Sequence, residues 1–600
     1  MATALELATD RKHVELDESE KNSHTHSISS VSQGGQTPTL AEYMRQAEIS
    51  RAREAGQSQS APLESDNRTT PEKPDIEDEL ITARRALRNA SWAAIFYLIT
   101  TDILGPFNAP FAFSQVGYVP GAVLYVVMGG VACYTGLILW RLFCVLDSDV
   151  YPIKTYADIA ERLIGRWFKH LCSALQSLQL IINVGTICLG NAQSVEQIAN
   201  DHQFCFSVAI LIWAIVGMVI GQIRSLKQYG WLANSAVWLN LLVIFITMGV
   251  VAHSPPNFKS AKAAFGIDQG PVQTSAIVSL PLFSKVNGIM QMVFAYGGAM
   301  IFPEFMAEMR RPMDFWKAMC CAQLLIATVY MLFGVFVYAF QGQFTLPLAF
   351  QGLSKFAWQT VGNVIALITG IIAAGLYGNI GIKVAYYHIV EQWFNGPPLI
   401  SRKGRVVWTF MVILYWSLAF IVGSAIPQVQ TISGLVAAVC IMQFTYTFPP
   451  LLLAAFEMQV DAARNDPGDT WKEKSRWMRA IFSSGPSVST MTTTTNSGLL
   501  TKNGNGITNG TADTTATGAP IESKRTKWQL IWAKVRHNFN NLSTSKFFRH
   551  SRVFYKLFNL VLFLGSLTMA CLGMYGSGKS IQATFASGGA ATSFGCGAPV

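Results

Sequence analysis

Charged side chains are scarce in this 600-residue sequence: 13% of the residues are Asp, Glu, Lys or Arg, whereas 51% are hydrophobic. Soluble globular chains contain about 25% charged residues, so the composition argues against a soluble protein. The net charge of +10 comes from Lys and Arg in short clusters between apolar runs, not on one face or one arm. That distribution excludes nucleic acid as an expected partner.

Patterns for metal or cofactor chemistry are also lacking. The ten cysteines and nine histidines show no CxxC, His box or Cys/His spacing typical of a metal site. We therefore expect no metal, no cofactor and no membrane enzyme, and the absence of charge rings or a repeated filter loop argues against a channel. Cys205 and Cys596 would both lie on the outer side of a membrane, so a disulfide is possible, although nothing in the sequence supports it.

One phosphate-binding pattern does occur. The residues from Gly573 to Ser580 fit GxxxxGK[ST]. This pattern holds phosphate only between a buried strand and a helix, where its backbone N–H groups converge. Here it follows an apolar run and leads into a tail of Gly, Ser and Ala, so we expect no nucleotide binding.

Apolar runs of about 20 residues, the length that crosses ~30 Å of hydrocarbon, predict an all-α polytopic membrane protein with about eleven transmembrane helices. We number them span 1 to span 11, at residues 92–114, 119–140, 171–195, 204–222, 229–252, 286–309, 318–340, 358–382, 406–425, 430–453 and 553–574. Lys and Arg cluster in alternate loops, which places those loops in the cytoplasm. We therefore expect a cytoplasmic amino terminus, an extracellular carboxyl terminus and a plasma-membrane location.

The polar stretches outside the spans predict tails and a linker. Residues 1–85 are rich in Ser, Gln and Glu and cannot bury enough apolar surface to fold, so we expect a disordered cytoplasmic tail. Residues 456–550 predict a cytoplasmic low-complexity linker, whose basic amphipathic segment 523–539 is either an interfacial helix or a solvated connector. The remaining predicted units are the ten-span core at 86–455, the eleventh span at 551–575 and a short extracytoplasmic tail at 576–600.

Gly and Pro interrupt spans 1 and 6 at matched positions. Unpaired backbone groups are tolerated at membrane depth only where they line an enclosed or hydrated cavity, so matched breaks indicate a transporter's central site. Division of the chain after span 5 predicts an inverted five-plus-five repeat with broken helices 1 and 6. Half-helix amino termini suit an anion and unwound carbonyl groups suit an ammonium, so an amino acid fits both.

Three segments carry a family resemblance: GPFNAPFAFSQVGYVPG from Gly105, YPIKTYADIAERLIG from Tyr151 and AYGGAMIFPEFMAEMRRPMDFWKA from Ala295. They resemble the amino acid/auxin permease family, and in particular its fungal neutral amino acid permeases of the methyltryptophan-resistance type. The resemblance covers roughly residues 85–455. It implies proton-coupled symport of amino acids on the fold of the bacterial leucine transporter.

The resemblance also implies that the two breaks hold the backbone of the substrate. The break residues are Gly105, Pro106, Phe107, Asn108 and Ala109 in span 1 and Tyr296, Gly297, Gly298 and Ala299 in span 6. The alternative is that the glycines only let helices pack closely. Neutral substrates are expected because no unpaired charge near the breaks offers a counter-ion to a charged side chain, while nearby aromatic residues suggest an apolar pocket.

Two acids lie beside the breaks and are candidates for proton coupling, because a charged acid is costly at bilayer depth. For Asp102 the alternative is a structural hydrogen bond, and for Glu304 it is pairing with Arg310 or Arg311. Further candidates for the transport pathway are Gln176, Asn183, Thr369 and Lys383. Interhelical hydrogen bonding explains the first three equally well, and Lys383 is alternatively an interfacial anchor. The sequence does not exclude sodium as the coupling ion. Alternative functions are an amino acid sensor on a transporter fold and an uncoupled facilitator.

Overall fold

The computed structural model describes residues 38–56, 88, 90–103, 106–199, 205–223, 226–397, 399, 401–425, 428–465, 547–586 and 594–597. Across these residues the chain is helical and contains no β-strand. Nine of the described helices are long and apolar enough to cross a membrane, which confirms an all-α polytopic membrane protein. The predicted basic segment 523–539 lies outside the described residues.

The observed helices follow the predicted order. Spans 1 and 6 are each divided, span 1 into Trp92–Ile103 and Ala109–Val116, and span 6 into Leu282–Ala295 and Phe302–Glu308. The others are span 2 at Tyr118–Leu146, span 3 at Arg166–Ala199, span 4 at Phe206–Ile220, span 5 at Leu226–Val251, span 7 at Phe315–Gln341, span 8 at Phe356–Ala385 and span 9 at Arg402–Ala425. Span 10 begins with Val429–Val436, continues through two π-helical segments, Ala437–Ile441 and Gln443–Thr447, and ends with Phe448–Asn465.

The first ten spans pack as two equivalent halves. Span 1 contacts span 6, span 3 contacts span 8, and span 4 contacts span 9. Span 5 contacts span 8, and in the same way span 10 contacts span 3. Span 1 contacts span 5, and in the same way span 6 contacts span 10. Each pair is therefore reproduced when every span is exchanged with the one five places away. Because five is odd, the second half crosses the membrane in the opposite direction, as the inverted repeat requires.

Span 11 is the helix Phe547–Ala586, which continues past the end predicted at residue 574. It packs against the first half of span 6 and against span 10. The GxxxxGK[ST] pattern lies inside this helix, where its backbone N–H groups cannot converge on a phosphate. A Cβ on Gly573 would lie 2.5 Å from Met290 Sδ, and one on Gly576 would lie 2.7 Å from Val286 Cγ1. These glycines therefore serve close packing of span 11 on span 6.

The expectation that residues 1–85 are disordered is wrong for the segment Leu40–Gly56, which forms a helix. This helix lies against the end of span 2, where the fully buried Asp147 accepts hydrogen bonds from two arginines. Arg51 Nη2 lies 2.6 Å from Asp147 Oδ2, and Arg88 Nη2 lies 3.1 Å from Asp147 Oδ1. Tertiary ionic contacts therefore hold a helix that is too polar to be predicted from its own apolar pattern.

A disulfide that the sequence left unsupported joins Cys205, at the start of span 4, to Cys596 near the carboxyl terminus. The carbonyl oxygen of Cys596 also accepts a 3.2 Å hydrogen bond from Phe206 N. Phe594 N donates a 3.0 Å hydrogen bond to the carbonyl of Ser424 in span 9. The end of the chain is thus fastened to spans 4 and 9.

Candidate functional site

The break in span 1 lies between Ile103 and Ala109. A 3₁₀ turn, Pro106–Asn108, leads into the second half of the span, and Asn108 precedes its first helical residue, the buried Ala109. The buried ring of Phe107 packs edge-to-face on Phe350, with the ring centroids 4.9 Å apart. Gly105 and the side chains of Asp102 and Pro106 lie outside the described residues, so their roles stay predictions.

Two tyrosine hydroxyl groups donate hydrogen bonds to backbone carbonyl groups at the break in span 6. The first half ends at Ala295, whose carbonyl accepts a 2.7 Å hydrogen bond from Tyr330 Oη. The Oη of Tyr296, the next residue, donates to the carbonyl of Tyr125 in span 2 at 3.0 Å. Tyr296 is buried, so its side chain spaces span 6 from span 2.

The small residues of this break allow close packing. A Cβ on Gly297 would lie 2.5 Å from Ile441 Cγ2, in a π-helical segment of span 10. Gly298 precedes the 3₁₀ turn Ala299–Ile301, and Ala299 is buried. The absence of a side chain at Gly297 therefore lets span 10 pack closely against the break.

Gln291, in the first half of span 6, connects the span 1 break to span 10. Its Oε1 accepts hydrogen bonds from Asn108 Nδ2 at 3.3 Å and from Ser433 Oγ at 2.8 Å. Its Nε2 donates to the carbonyl of Gln430 at 2.8 Å. Gln291 and Ser433 were not predicted from the sequence. The available signal was the pair Asn287 and Gln291, which are one helical turn apart in an otherwise apolar run.

Glu304 lies just after the break in span 6 and contacts span 3. Gln176 Nε2 donates to Glu304 Oε1 at 2.7 Å and to the carbonyl of Met300 at 3.0 Å. The other carboxylate oxygen, Oε2, is buried and has no hydrogen-bond partner of standard geometry. The alternative that Glu304 pairs with Arg310 or Arg311 is wrong, because no ion pair joins Glu304 to either residue within the described part of the chain.

Several buried oxygen atoms around the breaks lack partners. On span 3 these atoms are Oε1 of Gln176, Oε1 of Gln179 and Oδ1 of Asn183, which follow one another along one helix face. Asn108 Oδ1 in the span 1 break is also buried and unpartnered. Native proteins satisfy most buried polar groups, so these acceptors are suited to a polar ligand or water.

Two of the predicted pathway residues have contacts outside the breaks. Thr369 Oγ1 donates to the carbonyl of Ala366 at 3.3 Å, so its hydroxyl is satisfied within span 8. Lys383 interacts electrostatically with Glu308, at the end of span 6. This interaction connects the ends of spans 6 and 8 and does not reach the breaks.

Two interrupted helices that meet inside a ten-span inverted repeat define a polytopic membrane transporter. The chain belongs to the transmembrane amino acid transporter protein family, which it matches over residues 88–460. This match confirms the family resemblance carried by the segments at Gly105, Tyr151 and Ala295.

Three relatives illustrate the range of the similarity. The N amino acid transport system protein of Neurospora crassa is 25% identical over 389 residues, which cover 63% of this chain and 79% of the relative. A transmembrane transporter of Fusarium pseudograminearum is 24% identical over 372 residues, covering 61% of this chain and 75% of the relative. The lysine histidine transporter-like 4 protein of Arabidopsis thaliana is 22% identical over 361 residues, covering 56% and 75%.

Proposed function

We propose that the protein is a secondary active transporter that carries neutral amino acids together with protons by alternating access. The observation that carries the proposal is the hydrogen bond from Asn108, in the span 1 break, to Gln291, which lies in span 6 shortly before its break. Membership in an amino acid transporter family supports the substrate class. The names of relatives, which include an amino acid transport system protein, agree with it.

The substrate binds at the breaks in this proposal. Its carboxylate faces the positive amino-terminal end of the second half of span 1, which begins at Ala109. Its ammonium group is bound by acceptors such as the unpartnered Asn108 Oδ1. The buried ring of Phe107 and the absence of a charged side chain among the described break residues favour a neutral side chain.

Glu304 is the proposed proton acceptor, with Asp102 as the second candidate. In this proposal Oε2 of Glu304, which has no hydrogen-bond partner of standard geometry among the described residues, takes the proton, while Oε1 is held by Gln176. Gln176 also contacts the Met300 carbonyl within the break. A change in the charge of Glu304 is therefore transmitted to the backbone that the substrate contacts, which couples proton binding to substrate binding.

The proposed orientation places the amino terminus in the cytoplasm and the carboxyl terminus outside, at the plasma membrane. The Cys205–Cys596 disulfide supports this orientation, because disulfides persist in oxidising compartments and both cysteines lie at the end of the molecule predicted to face outward. Labelling of the reduced cysteines in intact cells by a membrane-impermeant maleimide tests it. Labelling of Cys596 only after permeabilisation would reverse the orientation.

Uptake into proteoliposomes tests the transport proposal. Labelled neutral amino acids are offered with an imposed inward proton gradient, with and without sodium, to the wild type, Asp102→Asn and Glu304→Gln. We expect uptake to follow the proton gradient, to ignore sodium and to fail in Glu304→Gln. Uptake independent of any gradient would instead identify a facilitator, and binding without uptake would identify a sensor.

A further inference from the structure

A basic cavity opens at the joint between spans 1, 6 and 7, on the face predicted to be cytoplasmic. Residues 90–92 at the start of span 1 line one side, and Arg310, Arg311, Asp314 and Lys317 line the other. We call it the basic cavity. It lies away from the breaks and has no role in the proposed transport chemistry.

The charges of the basic cavity are unbalanced. Lys317 Nζ lies 2.5 Å from Asp314 Oδ1, so the acid in this lining is already paired. The side chains of Arg310 and Arg311 are exposed and have no ion-pair or hydrogen-bond partner among the described residues. Two guanidinium groups are left for an anion, and their planar donor arrays suit phosphate oxygens.

The amino terminus of span 1 adds to the positive potential. The twelve-residue helix Trp92–Ile103 begins at the cavity, and its first N–H groups have no partner within the helix. Ser91 Oγ accepts a 3.2 Å hydrogen bond from Ala94 N, which satisfies one of them. The positive end of the helix dipole therefore faces the same space as the guanidinium groups.

Trp92 places the cavity at the depth of lipid headgroups. Its side chain is 43% exposed, and exposed tryptophans at the ends of membrane helices typically lie at the membrane–water interface. A soluble anion would need no such position. A headgroup with its acyl chains in the bilayer fits both the tryptophan and the arginines.

The cavity spans a backbone joint between the two halves of the repeat. Ala90 N donates to the Glu308 carbonyl at 3.0 Å, and Arg310 N donates to the Ala90 carbonyl at 2.9 Å. An anion that contacts both the start of span 1 and Arg310 would strengthen this joint. Occupancy should therefore stabilise the protein.

We propose that the basic cavity binds the phosphate group of an anionic lipid headgroup of the adjacent leaflet. The general preference of cytoplasmic loops for Lys and Arg does not explain the convergence of these residues on one cavity. Lys403 and Arg405, on the same predicted face, are exposed and line no part of it. They provide the matched control.

Native mass spectrometry of the purified full chain tests the proposal, with phosphatidylinositol 4-phosphate or phosphatidylcholine added. We expect selective retention of phosphatidylinositol 4-phosphate, at least a tenfold loss of retention in the variant that combines Arg310→Gln with Arg311→Gln, and normal retention in the variant that combines Lys403→Gln with Arg405→Gln. Asp314→Asn should increase retention, because it removes the acid from the lining. Equal retention by the two double variants would overturn the proposal.

A second arm distinguishes the sources of the phosphate and controls for folding. Soluble inositol 1,4,5-trisphosphate is added to lipid-free protein, and the midpoint of thermal unfolding is measured for the same variants. A rise produced by the lipid but not by the trisphosphate supports the headgroup. A rise with the trisphosphate alone would overturn the lipid source, and unchanged midpoints of the unliganded variants show that they are folded.

Discussion

Gln176 donates a 2.7 Å hydrogen bond to Glu304, and the same Nε2 atom donates to the carbonyl of Met300 at 3.0 Å. A single amide thus connects a membrane-embedded carboxylate to the interrupted backbone of span 6. Because Gln176 belongs to span 3, the contact also joins two spans that would move relative to each other in the proposed alternating access. It is the position at which a proton would have most influence on the substrate site.

Glu304→Gln should uncouple transport from the proton gradient. The amide keeps an oxygen for Gln176 but cannot be protonated at neutral pH. We expect proton-driven accumulation to fall at least tenfold, while exchange of labelled for unlabelled substrate continues without a gradient. The two assays in proteoliposomes measure this, with Glu308→Gln as the control, since Glu308 interacts with Lys383 and not with Gln176. Wild-type accumulation by Glu304→Gln would remove Glu304 as the coupling group.

Gln291→Leu should weaken substrate binding without preventing folding. The substitution leaves Asn108, Ser433 and the carbonyl of Gln430 without their shared partner. Loss of hydrogen bonds worth about 0.5 to 1.5 kcal/mol each predicts a rise in KM of about tenfold. Gln323→Leu is the control, because both polar atoms of the Gln323 side chain are buried and unpartnered. Similar KM values for the two variants would show that Gln291 does not organise the site.

The breaks were predictable because Gly and Pro mark them in the sequence, whereas the hydrogen bonds that link the span 1 break to spans 6 and 10 were not. Gln291 and Ser433 are far apart along the chain, and only the packing of span 10 on span 6 brings them together. A glutamine in an apolar span shows that a polar partner is needed but does not identify that partner. The predicted pathway residue Thr369, by contrast, is satisfied by its own helix.

Asp147→Ala should destabilise the protein more than loss of an exposed ion pair does. The change would leave Arg88 without its ion-pair partner and Arg51 with Glu54 alone, in a site where Asp147 is fully buried. Breaking a buried pair costs about 3 to 5 kcal/mol. Asp268→Ala removes the exposed pair with Lys262, and exposed ion pairs contribute little to stability. Thermal unfolding in one detergent should give a lower midpoint for Asp147→Ala, and equal midpoints would contradict the structural role of the amino-terminal helix.

The amino-terminal helix was not predicted because its composition is that of a disordered segment. The sequence of Leu40–Gly56 is polar, with Arg and Glu in equal number, and nothing local indicates that Asp147 will hold it. The same limit applies to Cys205 and Cys596, which are separated by 391 residues. The helix and the disulfide both depend on residues that are distant along the chain. A single sequence does not show which distant residues contact each other.

Cys596→Ser should release the carboxyl terminus from span 4. The disulfide closes a very long loop, and native disulfides typically contribute about 2 to 5 kcal/mol. We expect a lower midpoint of thermal unfolding and faster cleavage of a carboxyl-terminal tag by added protease. Cys571→Ser, at an exposed free cysteine in span 11, is the control. If the midpoint and the cleavage rate of Cys596→Ser both equal those of the control, the bond does not hold the tail.

Gly573→Val should displace span 11 from the core, because the new side chain would collide with Met290 and Ala438. Gly578→Val carries the same change in helix propensity in the same helix, but its Cβ meets nothing within 4 Å. We expect Gly573→Val to lower both the midpoint of thermal unfolding and the rate of uptake, and Gly578→Val to change neither strongly.

If the GxxxxGK[ST] residues bound a nucleotide, both variants would abolish labelling by a photoreactive ATP analogue. The packing role instead predicts no specific labelling of the wild type, and a difference between the variants in stability and uptake.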